Sequence, residues 1–97
     1  MATFIVLAQF SDQGIRHVKD SPERAEAFKE MAKKAGVNVK EMFWTLGRYD
    51  LVTILEAPDV ETVTALGLGV GKLGNVRTET LRAFDKADMA GILKKVV

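Results

Sequence analysis

Apolar and polar positions alternate along this chain in blocks whose period changes, and each change marks an element. Residues 2–10 are apolar on both alternating sets, Phe4/Val6/Ala8/Phe10 and Ile5/Leu7, the pattern of a central strand covered on both faces. Ser11-Asp12-Gln13-Gly14 is a loop signal, and Ile15 to Asp20 reads as a helical turn or irregular chain. From Ser21 the period becomes helical. Ser21 suits the N-cap, Pro22 the first helical position and Glu23 the positive end of the dipole, and Gly36 ends the helix after Lys33 and Lys34. Ala25, Phe28, Met31, Ala32 and Ala35 share one face, leaving the charged residues to water.

Residues 37–46 alternate again, Val37/Val39/Phe43/Thr45 against Met42/Trp44/Leu46. The polar turn Gly47-Arg48-Tyr49-Asp50 joins them to a third strand at 51–57, which Pro58 ends. Asp59 caps a second helix with Val63, Leu66, Val70 and Leu73 in step, and Gly67, Gly71 and Gly74 on an adjacent stripe. Each helical glycine costs about 1 kcal/mol against alanine, so the stripe calls for close approach of another backbone or for a helix that ends early. Residues 75–83 form a fourth strand. Asp85 then caps a last helix with Met89, Ile92, Leu93 and Val96 on its apolar face.

This order is an α+β, ferredoxin-like split βαβ fold in one domain over residues 1–97: a four-stranded antiparallel sheet with two helices on one face, plus a C-terminal helix. Right-handed crossovers put both main helices on the same side, so the opposite sheet face needs another cover. The last helix, about 18 Å long at 1.5 Å per residue, is too short to span four strands. A second copy of the chain is the natural lid.

Composition sharpens that expectation. A chain of 97 residues buries only about 60 to 65 per cent of its unfolded surface. Yet 47% of its residues are hydrophobic, a surplus that favours a homo-oligomer. With 14 basic and 13 acidic residues the net charge is +1, which gives no electrostatic footprint for nucleic acid or for an acidic membrane surface. The start, Met1 to Leu7, has no basic n-region and meets Gln9 and Asp12 too soon for a signal or membrane segment. The absence of cysteine removes disulfides and thiolate sites and fits a reducing, cytoplasmic setting. No histidine cluster or carboxylate pair points to a metal, and nothing calls for a cofactor.

Candidate chemistry gathers at the 47–50 turn. As plain structure, Gly47 supplies an unusual backbone angle, Asp50 bonds nearby amides and Tyr49 packs on the rim. As a site, Arg48 anchors a carboxylate or phosphate, Tyr49 donates a hydrogen bond or forms an aromatic wall, and Asp50 orients one of them. Trp44 fits a core or a subunit interface, with a cavity wall as the alternative, and its indole N–H wants a partner. Arg77 and Arg82 fall on opposite faces of the fourth strand, each paired with a carboxylate such as Glu79 or Asp50 or else free to hold an anion. His17 is the only side chain that titrates near neutrality: a surface histidine in its plain reading, a general base only with a partner such as Asp12 and a pocket. Gly67-Leu68-Gly69-Val70-Gly71 lacks the preceding strand and tight turn of a nucleotide loop.

Three functions follow. The first is a homo-oligomeric sensory or accessory protein that holds a small anionic or aromatic molecule through Arg48, Tyr49, Trp44 and Arg77. The second is a cofactor-free isomerase or monooxygenase with His17, Tyr49 and Asp50 as catalytic groups. The third is an assembly module with no ligand.

The residues Gly47-Arg48-Tyr49-Asp50, with Thr3 to Leu7, Asp12-Gln13-Gly14, Lys19 to Pro22, Phe43 to Leu46 and Leu73 to Phe84, resemble the GYD domain family over nearly the whole chain. Arg48 is an insertion relative to a bare Gly-Tyr-Asp. The resemblance implies small bacterial proteins of poorly defined role and a ferredoxin-like subunit related in shape to dimeric α/β-barrel proteins, among them small monooxygenases, isomerases and haem-handling enzymes. Kinship of fold does not carry chemistry with it.

Overall fold

Strand β1 (Ala2–Phe10) lies inside the sheet, as its two-sided apolar pattern requires. In a computed structural model that describes residues 1–97, it pairs antiparallel with β3 (Leu51–Ala57) on one side and β4 (Val76–Ala83) on the other. Strand β2 (Asn38–Trp44) flanks β3, giving the order β2-β3-β1-β4 of the ferredoxin-like arrangement.

Helices α2 (Ser21–Lys34) and α3 (Val60–Gly71) cover one face. There Phe4, Leu55 and Ala57 are buried with Ala32, Val37, Val63 and Leu66 in one core cluster. Helix α2 stops, and α3 starts, where their sequences say. Gly36 takes the left-handed conformation (φ 77°) after α2, and Asp59 caps α3 by accepting from the Thr62 N–H at 2.7 Å.

Four local expectations change. A register shift between Val39 and Glu41 puts Val39, Met42 and Trp44 on the helix-covered face, opposite Leu55, Thr53 and Leu51, so Val39 parts from Phe43. Ser21 is not the N-cap of α2 but its first residue, buried, with Asp20 in the cap position. Residues 12–16 form a short helix, α1 (Asp12–Arg16), capped by the Ser11 side chain and followed by a 3₁₀ turn over Val18–Asp20. The α3 glycines meet no backbone: a Cβ on Gly67 would make ordinary contact with the Thr78 hydroxyl at 3.7 Å, and one on Gly71 would meet nothing. Gly71 ends α3, which leaves Leu73 and Gly74 in the turn beyond it.

The other sheet face has no cover from its own chain. By register it carries Ile5, Leu7, Val52 and Ile54, all half-buried, with Phe43 51% and Leu81 44% exposed. The last helix, α4 (Lys86–Leu93), is well made, with Asp85 and Asp88 forming a reciprocal capping box. It makes no substantial contact with any other element. The molecule is long, 49 × 30 × 19 Å, and its radius of gyration of 14.6 Å exceeds the about 12.5 Å usual for this length.

Candidate functional site

The β2–β3 hairpin is tied to its neighbours by its last turn residue. Gly47 holds φ at 112°, a conformation open to glycine at little cost. This reverses the chain so that the Thr45 N–H meets the Asp50 carbonyl at 2.8 Å. Asp50 then bridges to β1 twice: its N–H donates to the Ala8 carbonyl, and its carboxylate accepts from the Phe10 N–H at 2.7 Å. The Gln9 amide donates to the Arg48 carbonyl at 2.8 Å and completes the seam. Asp50 therefore fixes where β1 ends and how Phe10 is presented.

Tyr49 leaves the hairpin on the uncovered side of the sheet. Its hydroxyl donates to the Glu79 carboxylate at 2.8 Å, and Glu79 shares that face with Leu7. The bond to Glu79 raises the phenol above its ordinary value of 10.0, and the Arg48 guanidinium, 5.7 Å from the ring centroid, pulls the other way. A phenol held this way is a hydrogen-bond donor, not a group primed to release its proton.

A second junction lies across the sheet from the hairpin. Gly14 is buried against the turn after α3, where any Cβ would collide with the Asn75 carbonyl. The Ser11 hydroxyl donates to the Gly74 carbonyl and accepts from the Gly14 N–H, while the Ser11 N–H donates to the Asn75 carbonyl at 3.0 Å. The Gln13 amide reaches the Leu73 carbonyl and the Asn75 side chain. Gly14 is thus the glycine whose small size a neighbouring backbone demands.

Between these two junctions, under α2, lies a cleft of about 150 Å³. Val6, Phe10, Phe28, Met31, Leu51 and Val70 supply much of its apolar wall, and Ser21, Thr53 and Thr78 its hydroxyls. Arg24 sits at its rim, 6.0 Å from the Phe10 ring centroid. Its guanidinium donates to the carbonyls of His17 and Gly14, at 2.8 and 3.2 Å.

A family model, the GYD domain, matches residues 4–93. The chain belongs to the GYD domain family. A similar protein from Thermus thermophilus, named "Glutamine synthetase and cystathionine beta-lyase binding protein", is 39% identical over 95 residues, 97% of this chain and all of that one. The crystal structure of TTHA0845, also from Thermus thermophilus, is similar too, at 31% identity and a TM-score of 0.56, over 88% of this GYD chain and 95% of that one. The crystal structure of FFRP-DM1, at 21% identity and a TM-score of 0.62, covers 87% of this chain and 100% of that one and shows the shared fold alone.

Within the GYD protein, the candidate residues of the sequence do not converge on one pocket. Arg48 and Tyr49 stack on each other at the hairpin, and the Asp50 carboxylate is held by the β1 backbone. Trp44 stands on the covered face, where its indole N–H donates to the Ser21 hydroxyl at 2.8 Å. Arg77 is exposed on the edge strand β4, opposite Gln9 in register. His17 lies on an open polar surface with Asp20 and Glu23, its carbonyl taken by Arg24.

The expected arginine–carboxylate pairs on β4 do not form. Lys29–Glu26 is the ion pair within 4.0 Å. Arg82 instead lies over the rings of Phe4 and Phe84 and donates to the Thr3 carbonyl at 3.2 Å, since register sets Glu79 on the opposite face of the sheet and Asp50 at the far end of β1, beside Phe10. No three metal-ligating side chains come together. No helix is long and apolar enough to cross a membrane.

Sequence reasoning passed over Arg24, Thr53 and the role of Ser21. Arg24 belongs to the polar face of α2 by periodicity, and only the fold brings α1 and the end of β1 against it. Thr53 was legible as a polar residue among the apolar positions of β3.

Proposed function

We propose that this GYD protein is a homo-oligomeric accessory protein that works by binding other proteins, in a cytoplasmic setting. The observation that carries this reading is the uncovered sheet face. Ile5, Leu7, Val52, Ile54, Phe43 and Leu81 form one apolar surface across all four strands. Contiguous apolar surface of this kind marks an interaction site. Pairing two such faces hides it and leaves α4 and the outer helices of each copy for other partners. The name of the Thermus relative supports enzymes as those partners.

The cleft under α2 supports a second element of the same reading: a small anionic or aromatic molecule held beside the sheet, by which the assembly senses a metabolite. The rival, a cofactor-free isomerase or monooxygenase using His17, Tyr49 and Asp50, draws less support. Asp50 and Tyr49 are held by different partners, His17 lies on an open polar surface apart from both, and the Tyr49 phenol is stabilised in its neutral form.

Light scattering at micromolar concentration tests the central claim. The oligomer is expected for the unaltered chain, and Ile54→Asp should release a monomer of 10.7 kDa. A stable monomer of the unaltered chain would sink the reading. Affinity capture with purified glutamine synthetase or cystathionine β-lyase then tests the partner class, with Ile54→Asp separating partners that need the assembly from those that do not.

A further inference from the structure

We infer that the cleft under α2 is a binding site for a small neutral molecule, one aromatic ring in size, whose single polar group meets the Thr53 hydroxyl on the sheet. This rests on the proposed cleft reading and decides between its two ligand chemistries.

Size comes first. The cleft holds about 150 Å³, the scale of an engineered apolar cavity that takes up benzene. Its wall is made by Phe10, Phe28, Met31 and aliphatic side chains, and methionine and aromatic rings adapt well to a flat apolar guest.

Charge decides against an anion. Arg24 is the sole cation on the lining, and its guanidinium is drawn to the rim by the Gly14 and His17 carbonyls and the Phe10 ring. The start of α2 offers an anion little: Pro22 has no N–H, and the Ser21 N–H is bonded to the Val18 carbonyl. A carboxylate drawn inside would lose its hydration without gaining a matched charge, a cost of several kcal/mol. Thr53 remains to satisfy one neutral donor or acceptor, while Thr78 lies on the far side of β1.

The motifs on either side brace this cleft. Asp50 pins the Phe10 backbone, Trp44 bonds the Ser21 hydroxyl, and Ser11, Gln13 and Gly14 clamp the Leu73–Asn75 turn that forms one wall. They act as positioning residues, each outside the space a guest would occupy.

The test uses toluene, phenol and benzoate as probes, read by methyl NMR of Met31 and Thr53 in the full-length protein. Toluene and phenol should shift both signals saturably, with phenol at least about tenfold tighter than benzoate. Thr53→Val should weaken phenol about fivefold and leave toluene unchanged. Val70→Phe should abolish binding of both by filling the space. Where Val70→Phe fails to fold, the Thr53→Val comparison still decides. Benzoate as tight as phenol would overturn the neutral chemistry while leaving a cleft that binds. No saturable shift from any probe would overturn both. Equal weakening of toluene and phenol by Thr53→Val would remove the hydroxyl contact and with it the inference.

Discussion

The two faces of this sheet are nearly equal in hydrophobicity along β1, and the chain treats them oppositely. Phe4 and Ala8 are buried under α2 and α3, while Ile5 and Leu7, one residue away, stay half-exposed. The same contrast holds on β3 between Leu55, fully buried, and Ile54. A strand's two-sided pattern reports that both faces are to be covered, not that one chain covers both. Crossover handedness sends both helices to one side, and the second cover must come from elsewhere.

The largest test of that contrast is Leu55→Ala. The side chain is fully buried, so truncation should cost about 2 to 5 kcal/mol in denaturant unfolding, while Ile54→Ala in dilute protein should cost clearly less. Equal costs that grow with protein concentration would mean that the open face is as well covered as the other.

Gly14→Ala comes next. Its Cβ would collide with the Asn75 backbone, so overpacking should cost about 1 to 3 kcal/mol and loosen the Leu73–Asn75 turn, visible as faster amide exchange at Ser11 and Gly14. An unchanged exchange pattern would show that the turn is not held there.

A smaller effect is expected from Tyr49→Phe, which removes one exposed hydrogen bond on the open face. Its signature is in pH. The folded phenol sits above 10.0, so its contribution is fully present below that value and fades as pH climbs past it towards the higher folded value. The unaltered protein should lose stability in that alkaline window relative to Tyr49→Phe, and parallel curves would deny the Glu79 contact. Smallest of all is Asp59→Asn at the cap of α3. The Asp59 carboxyl is held below its ordinary 3.8 by the Thr62 bonds, so its contribution is present above that value and lost as pH falls below it. The substitution should flatten that acid limb.

Much of the fold was legible because local chemistry and global layout agree in it. The caps at Asp59 and Asp85, the stop at Gly36 and the parity of Arg77 against Arg82 are short-range facts, and they hold. The slip at residues 39–41 was not legible, since a bulge breaks parity without any distinctive residue to announce it. Ser21 misled for a related reason. Its side chain suits a cap, but Trp44, distant in sequence, claims the hydroxyl.

The sequence by itself determined the strand and helix order, the excess of apolar surface and the turn at Gly47, because hydrophobic period and backbone chirality act within a few residues. Only the tertiary structure decided which glycine is indispensable, where Tyr49 reaches, and that Arg24 and Thr53 line the cleft. Each depends on segments 10 to 61 residues apart being brought into contact, which no local pattern records.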